Sequence, residues 1–229
     1  IRALQLPWGA KGLDAGCGIG LHTIQLADAA GPTGHVDGVD LSSQLLAYAG
    51  ELAAEAGLAE RVTFREGDVN ALPFDDDSFD WAWSVDCVGY APMAPEPLVK
   101  ELARVVKPGG CVVLLAWSSE KLLPGYPLLE ARLGATSAGI APFVDGKRPA
   151  SHFLRGLGWL REAALCELAA RTFVGSAHAP LTDDLRMALE ALFEMRWTGA
   201  ESELSDRDRA EYRRLCLPDK ANFKHIIDP

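Results

Sequence analysis

LDAGCGIG, Leu13 to Gly20, places glycines at 16, 18 and 20 and an aspartate two positions before the first of them. A glycine-rich turn lets backbone adopt left-handed conformations and lets a ligand approach closely. The residues before it, KGLDAGC (11–17), read as a short buried strand. Those after it, 21–30, read as a helix with Leu21, Ile24 and Ala27 on one face. Strand, glycine turn and helix in that order begin an α/β fold, and the rest of the chain is read outward from this unit.

HVDGVDL (35–41) is a second strand. Ser42 or Ser43 caps a following helix whose Leu45, Leu46, Ala49, Leu52, Ala53 and Ala56 form an apolar stripe, ended by Gly57. VTFREGD (62–68) and FDWAWSVDCV (79–88) are the third and fourth strands. Pro97 opens a helix that turns Leu98, Leu102, Val105 and Val106 inward, and Pro108, Gly109 and Gly110 stop it before a fifth strand, CVVLLAWS (111–118). Continuous apolar strands alternating with helices predict a mostly parallel sheet covered on both faces, a Rossmann-like three-layer α/β sandwich. Ligands of such sheets bind at the carboxyl ends of the strands, where strand order reverses.

Beyond residue 118 the alternation fades. Residues 119–155 read as an insertion with one helix near 125–134, and 153–164 as a helix. ELAARTFVG (167–175) reads as a sixth strand, and 182–197 and 205–216 as two further helices. The expectation is a single domain, 1–229, with a core at 11–118 and 156–176 and helical cap segments at 119–155 and 178–225. The caps carry Tyr126, Phe143, Phe153, Phe193 and Trp197, which suits a hydrophobic or flat small molecule.

The composition is that of an ordinary globular protein, with 48% apolar and 24% charged residues. A net charge of −10 argues against nucleic acid as the main partner, because a phosphate backbone demands basic patches. Five widely spaced cysteines, at 17, 87, 111, 166 and 216, form no CxxC pair and suggest reduced thiols in a cytoplasmic protein. No apolar run approaches the ~20 residues of a membrane span, and no secretory leader is visible. The run Asp75, Asp76, Asp77 reads as a solvated loop and no metal is expected, since adjacent carboxylates point apart.

The turn differs from the dinucleotide fingerprint GxGxxG, because Leu21 stands where the third glycine belongs. Asp14 makes the larger difference. A carboxylate at the mouth of a pyrophosphate site repels the anion, whereas it attracts a cationic amino group. Asp40 ends the second strand, where an acid accepts hydrogen bonds from ribose hydroxyls. Asp68 ends the third, where it can accept from an exocyclic amine such as that of adenine. Three acids at successive strand ends outline amino acid, ribose and base, which S-adenosylmethionine fits.

LDAGCGIG, GVDLS, GDVNALPF, FDWAWSVD and VVKPGG together resemble the class I S-adenosylmethionine-dependent methyltransferases, most of all the small-molecule branch related to quinone-biosynthesis C-methyltransferases. The resemblance covers roughly residues 11–118. It implies that Asp14 and the backbone of Gly16, Cys17 and Gly18 hold the methionine part. It assigns the ribose to Asp40 with Leu41 beside the base, adenine to Asp68 and Val69, and the methionine end to the backbone of Ser84. The family sheet closes with a seventh, antiparallel strand, for which residues 176–229 supply no clear candidate. The implied activity is methyl transfer to a small, hydrophobic organic acceptor, leaving S-adenosylhomocysteine. The alternatives are a non-catalytic module that binds the same cofactor and, from a different class, a nicotinamide-dependent oxidoreductase. A homodimer is compatible with the apolar caps. Asp86 and Tyr90, just past the fourth strand, and His178, after the sixth, are the candidates for contact with an acceptor. His22 is read as a residue of the cofactor turn, and Trp81 and Trp83 as core.

Overall fold

The computed structural model describes residue 1 and residues 4–88, 94–140, 152–176 and 180–217. The chain separates into two compact units, one of residues 1–117 and 148–170, the other of 118–147 and 171–229. Among the described residues, 119–140 and 180–217 of the expected cap segments fall in the second unit and 152–155 in the first.

The first unit holds five parallel strands: β1 (Lys11–Ala15), β2 (His35–Asp40), β3 (Val62–Glu66), β4 (Phe79–Val85) and β5 (Val106–Leu115). Their order across the sheet is β3-β2-β1-β4-β5, so the winding reverses between β1 and β4. One face packs α1 (Leu21–Ala29) and α2 (Ser43–Glu55) over Val36, Val62, Trp81 and Trp83. The other packs α3 (Glu96–Val105) and α6 (Gly156–Glu162) over Leu13, Val39 and Ala82. This is the expected three-layer sandwich. Ser42 caps α2 by accepting from the Leu45 N–H at 3.3 Å.

Two expectations fail, each for a local reason. Pro108, Gly109 and Gly110 do not precede β5; they lie inside it. Phe79 pairs with Val106 but Trp81 with Cys111, so β5 carries three more residues than β4 across one step. A bulge absorbs them, with Gly109 at φ 81°. Residues 167–175 form no strand. Ala164, just before it, and Glu167, its first residue, take the chain out of the extended region at φ 61° and 53°. Phe173 and Val174 stand exposed, Val174 at 91%. With no ladder partner among the described residues, their β propensity has nothing to pair with.

The second unit is helical: α4 (Pro127–Gly134), α5 (Ser137–Ile140), α7 (Asp183–Trp197) and α8 (Asp206–Cys216). Leu123, Leu133, Phe193 and Leu215 are fully buried in its core, and the Phe193 and Trp197 rings stack at 5.7 Å. Thr182 and Ser205 cap α7 and α8 through their hydroxyls. Among the described residues no helix is long and apolar enough to cross a membrane.

Gly12 shows how tightly the sheet face of the first unit is filled, since a Cβ there would fall inside the Trp81 indole. Gly12→Ala is expected to cost about 1–3 kcal/mol in urea unfolding through overpacking. Gly50→Ala, on exposed α2 with nothing near its Cβ, should gain roughly 0.5–1 kcal/mol instead.

Candidate functional site

The glycine turn leaves β1 at the switch point and is folded by its own backbone. Gly16 and Cys17 both donate their N–H to the Val39 carbonyl, at 2.8 and 3.0 Å. Gly18 donates to Asp40 Oδ2 at 2.9 Å, and Gly20 donates to the Cys17 carbonyl at 2.9 Å. Gly16 needs its freedom twice: its φ is 80°, and a Cβ would sit 2.9 Å from Cys87 Sγ. Gly20, at φ 75°, passes within 2.8 Å of where the Phe64 ring would meet a side chain.

Asp14 is not at the open mouth that its position in the sequence suggests. Its carboxylate is 1% exposed, under the first turn of α1. Thr23 donates to it from Oγ1 at 2.7 Å and also from its backbone N–H. Burial pushes the Asp14 carboxyl up to about 7; the Thr23 hydrogen bonds oppose the rise and the charge of Asp40 adds to it. Thr23 was not singled out in the sequence, although a buried acid at a strand end requires a donor and a first-turn hydroxyl is its nearest source.

Asp40 organises the next strand end. Its Oδ2 accepts from Gly18 and its Oδ1 from the Ser42 N–H at 3.0 Å, leaving further lone pairs on both oxygens. Its carbonyl accepts from Gly67, the residue before Asp68. Asp68 is engaged locally by the Asn70 N–H and side-chain amide at 2.8 and 2.9 Å. Leu41 is 69% exposed beside Asp40, while Val69 packs against the core. Ser84 is buried and donates its hydroxyl to the Ala15 carbonyl at 2.8 Å, tying β4 to β1 across the switch point.

The residues beyond β4 divide. Asp86 has φ 49°, a strained conformation for a non-glycine residue. Its N–H donates to the Leu115 carbonyl at 2.9 Å and its Oδ1 accepts from the Trp117 N–H at 2.7 Å, which laces the ends of β4 and β5 together. The other oxygen, Oδ2, is outside that bond. Tyr90 and His178 lie outside the described residues. His22 sits with its ring 6.0 Å from that of Trp83; burial lowers the affinity of its imidazole for a proton, and Asp86 partly restores it. Burial and the charges of Asp14 and Asp40 push the Cys17 thiol well up, and burial does the same for Cys87, where the Ser84 hydrogen bond opposes it and both acids add.

This geometry suits one charge type. A diphosphate site needs free N–H groups and a positive helix end. Here the N–H groups of Gly16, Cys17 and Gly18 are taken, and Asp14 accepts at the amino end of α1. Two carboxylates with spare lone pairs beside a glycine turn fit a cationic, hydroxyl-bearing nucleoside. Among the described residues no cluster of His, Cys, Asp and Glu could hold a metal ion.

Residues 13–110 match the sequence profile of a methyltransferase domain family. Over 126 residues the chain is 41% identical to a demethylmenaquinone methyltransferase of Staphylococcus aureus strain JH9, which is 54% of this chain and 49% of that protein. The chain thus spans about half the length of the curated relatives it matches. In fold it is similar to a crystal structure of a candidate sarcosine dimethylglycine methyltransferase from Galdieria sulphuraria, with a TM-score of 0.55 and 21% identity over 97% of this chain and 71% of that one. A SAM-dependent methyltransferase from Aquifex aeolicus aligns at a TM-score of 0.48 and 26% identity over 52% of this chain and 63% of that one.

The raised Asp14 carboxyl has a measurable signature. In the unfolded chain the group ionises near the ordinary aspartate value of 3.8, and in the fold near 7, so the native state holds the extra proton between them. Stability from this group is full below about pH 4 and falls, by at most about 1.4 kcal/mol per pH unit, until it levels off above pH 7. Asp14→Asn should remove that slope. In thermal unfolding without ligand the variant is expected to gain on the wild type between pH 5.5 and pH 8; parallel curves would place the ionisation elsewhere.

Proposed function

We propose that this chain, whose residues 13–110 match a methyltransferase domain family, is a class I S-adenosylmethionine-dependent methyltransferase that transfers a methyl group from S-adenosylmethionine to a small, hydrophobic organic molecule by direct in-line displacement. The observation that carries the reading is the glycine turn whose N–H groups are spent internally and whose flanking charges are Asp14 and Asp40. When bound, S-adenosylmethionine supplies a methyl on a sulfonium, an electrophile that needs no activation by the protein.

The chain's residues then have to bind, orient and exclude water. Asp14 acts through a low-dielectric layer on the ammonium of the amino-acid part, and becomes charged as that cation arrives. Gly16, Cys17 and Gly18 give close backbone approach at the same part, with the backbone of Ser84 across the switch point. Asp40 offers its unused lone pairs to the ribose hydroxyls, and exposed Leu41 covers one side of the base. Asp68 and Val69 receive adenine.

Asp86 is the polar group for the acceptor: its backbone is fixed to β5 and Oδ2 remains for a hydroxyl or amine. Tyr90 and His178 are further candidates for that contact. The Staphylococcus aureus relative is named for a flat, apolar quinone acceptor, which supports an acceptor of that shape.

Calorimetric titration tests the cofactor. The wild type is expected to bind S-adenosylmethionine in the micromolar to millimolar range, and Asp40→Asn, which keeps the volume but loses the charge, to bind at least about tenfold more weakly, or 1.4 kcal/mol. No binding by a folded wild type sinks the assignment. Binding without S-adenosylhomocysteine formation across a panel of quinols, phenols and amines would favour the non-catalytic module.

A further inference from the structure

The sheet face that packs α3 and α6 also carries a cleft of about 540 Å³, lined by Lys11, Arg65, Phe74, Asp75 and Ser78 with Leu72 and Pro73. None of Asp14, Asp40 or Asp68 lines it. Alternation along the strands puts Lys11, Asp37 and Arg65 on this face, opposite α1 and α2.

The floor of the cleft is built around a carboxylate. Asp37 lies mid-strand in β2 with its side chain 3% exposed, where an ion without partners costs several kcal/mol. Each of its oxygens faces one cation, Arg65 Nε at 3.2 Å and Lys11 Nζ at 3.6 Å. Aromatic rings hold both cations in place: the Lys11 ammonium lies 4.7 Å from the Phe79 ring centre and the Arg65 guanidinium 5.6 Å from that of Phe74. The two rings meet edge to face at 4.8 Å.

The wall is fixed as firmly. Arg104 donates to the carbonyls of Phe74 and Leu72 at 2.8 and 3.1 Å, and Glu101 accepts the Leu72 N–H at 2.8 Å. Arg65 spends only Nε on Asp37, and about half of its side chain is exposed. Its two terminal Nη groups hydrogen-bond to none of the described residues. They form a fork that is already oriented and is matched in spacing to a carboxylate.

The charge balance narrows the ligand. Lys11 and Arg65 are offset by Asp37 beneath and Asp75 at the rim, with Asp76 and Asp77 following in the chain. A polyphosphate or nucleic acid meets those acids, whereas a single negative charge can sit on the fork. Exposed Pro73 and half-buried Phe74 offer a small apolar surface to whatever the charge is attached to. We propose that this cleft is a second small-molecule site of the domain, separate from the glycine turn, that binds a planar monocarboxylate through the Arg65 fork and Lys11 with its ring against Phe74 and Pro73.

Fluorine NMR titration of the whole chain with 4-fluorobenzoate, with and without saturating S-adenosylhomocysteine, tests it. The wild type should bind with a dissociation constant on the order of 1 mM in both conditions. 4-Fluorobenzamide, which keeps the ring without the charge, and acetate, which keeps the charge without the ring, should each bind at least about tenfold more weakly. Arg65→Ala should lose about tenfold as well, and Arg65→Lys, which still neutralises Asp37 but has no fork, should lose nearly as much. Asp75→Asn should admit phenyl phosphate, which the wild type rejects. The proposal is overturned if fluorobenzoate fails to bind up to about 20 mM, if both Arg65 variants bind as the wild type does, or if S-adenosylhomocysteine displaces it. In that last case the ligand occupies the cofactor cleft, and the methyltransferase reading stands untouched.

Discussion

The interaction on which the first unit depends is the pair of hydrogen bonds that Thr23 gives to Asp14. They join the carboxyl end of β1 to the amino end of α1 and hold the glycine turn between two fixed points. They also occupy the helix end that in phosphate-binding folds stays open to an anion. An acid in that place must be buried to reach the helix, and once buried it prefers to be neutral. A cation is therefore the ligand that restores what folding makes unfavourable. The same position that weakens the fold as pH rises toward 7 is, on the function proposed above, the one that serves a positive charge.

The opposite sheet face follows a different logic. Between β3 and β4 the chain crosses without a helix, and residues 72–76 are strapped down by Arg104 and Glu101. A strap covers less of the sheet than a helix does. The charged pairs of Asp37 with Lys11 and Arg65 stand where apolar packing would otherwise be needed. The sheet thus carries acids at its carboxyl edge, Asp14 and Asp40, and a cleft with two cations, Lys11 and Arg65, on its face.

Much of this was legible in the sequence, and the failures have physical causes. The strands β1 to β4 announce themselves because buried apolar residues recur in short runs between turn signals, and α2 because Ser42 stands where a cap belongs. Asp14, Asp40 and the glycines stand out in the sequence on chemistry alone, because charge and turn residues are written locally. Depth is not local, so the burial of Asp14 and its debt to Thr23 needed the fold. PGG at 108–110 reads as a stop signal, but an edge strand can bulge around it. RTFVG has the residues of a strand, but pairing is decided by a neighbour that no propensity supplies. The separate helical unit was hidden for the same reason: its core joins Leu123 and Leu133 to Phe193 and Leu215, far apart in the chain.

Cys17 and Cys87 give the acids of the turn a second consequence. A sulfonium is an alkylating agent, and a thiolate is the side chain it modifies most readily. Both thiols stand at the turn, Cys17 within it and Cys87 against Gly16, and both are held in the protonated form by burial and by the fields of Asp14 and Asp40. On the function proposed above, the acids that serve a reactive cation also keep the nearest nucleophiles protonated, and so protect the turn from self-alkylation.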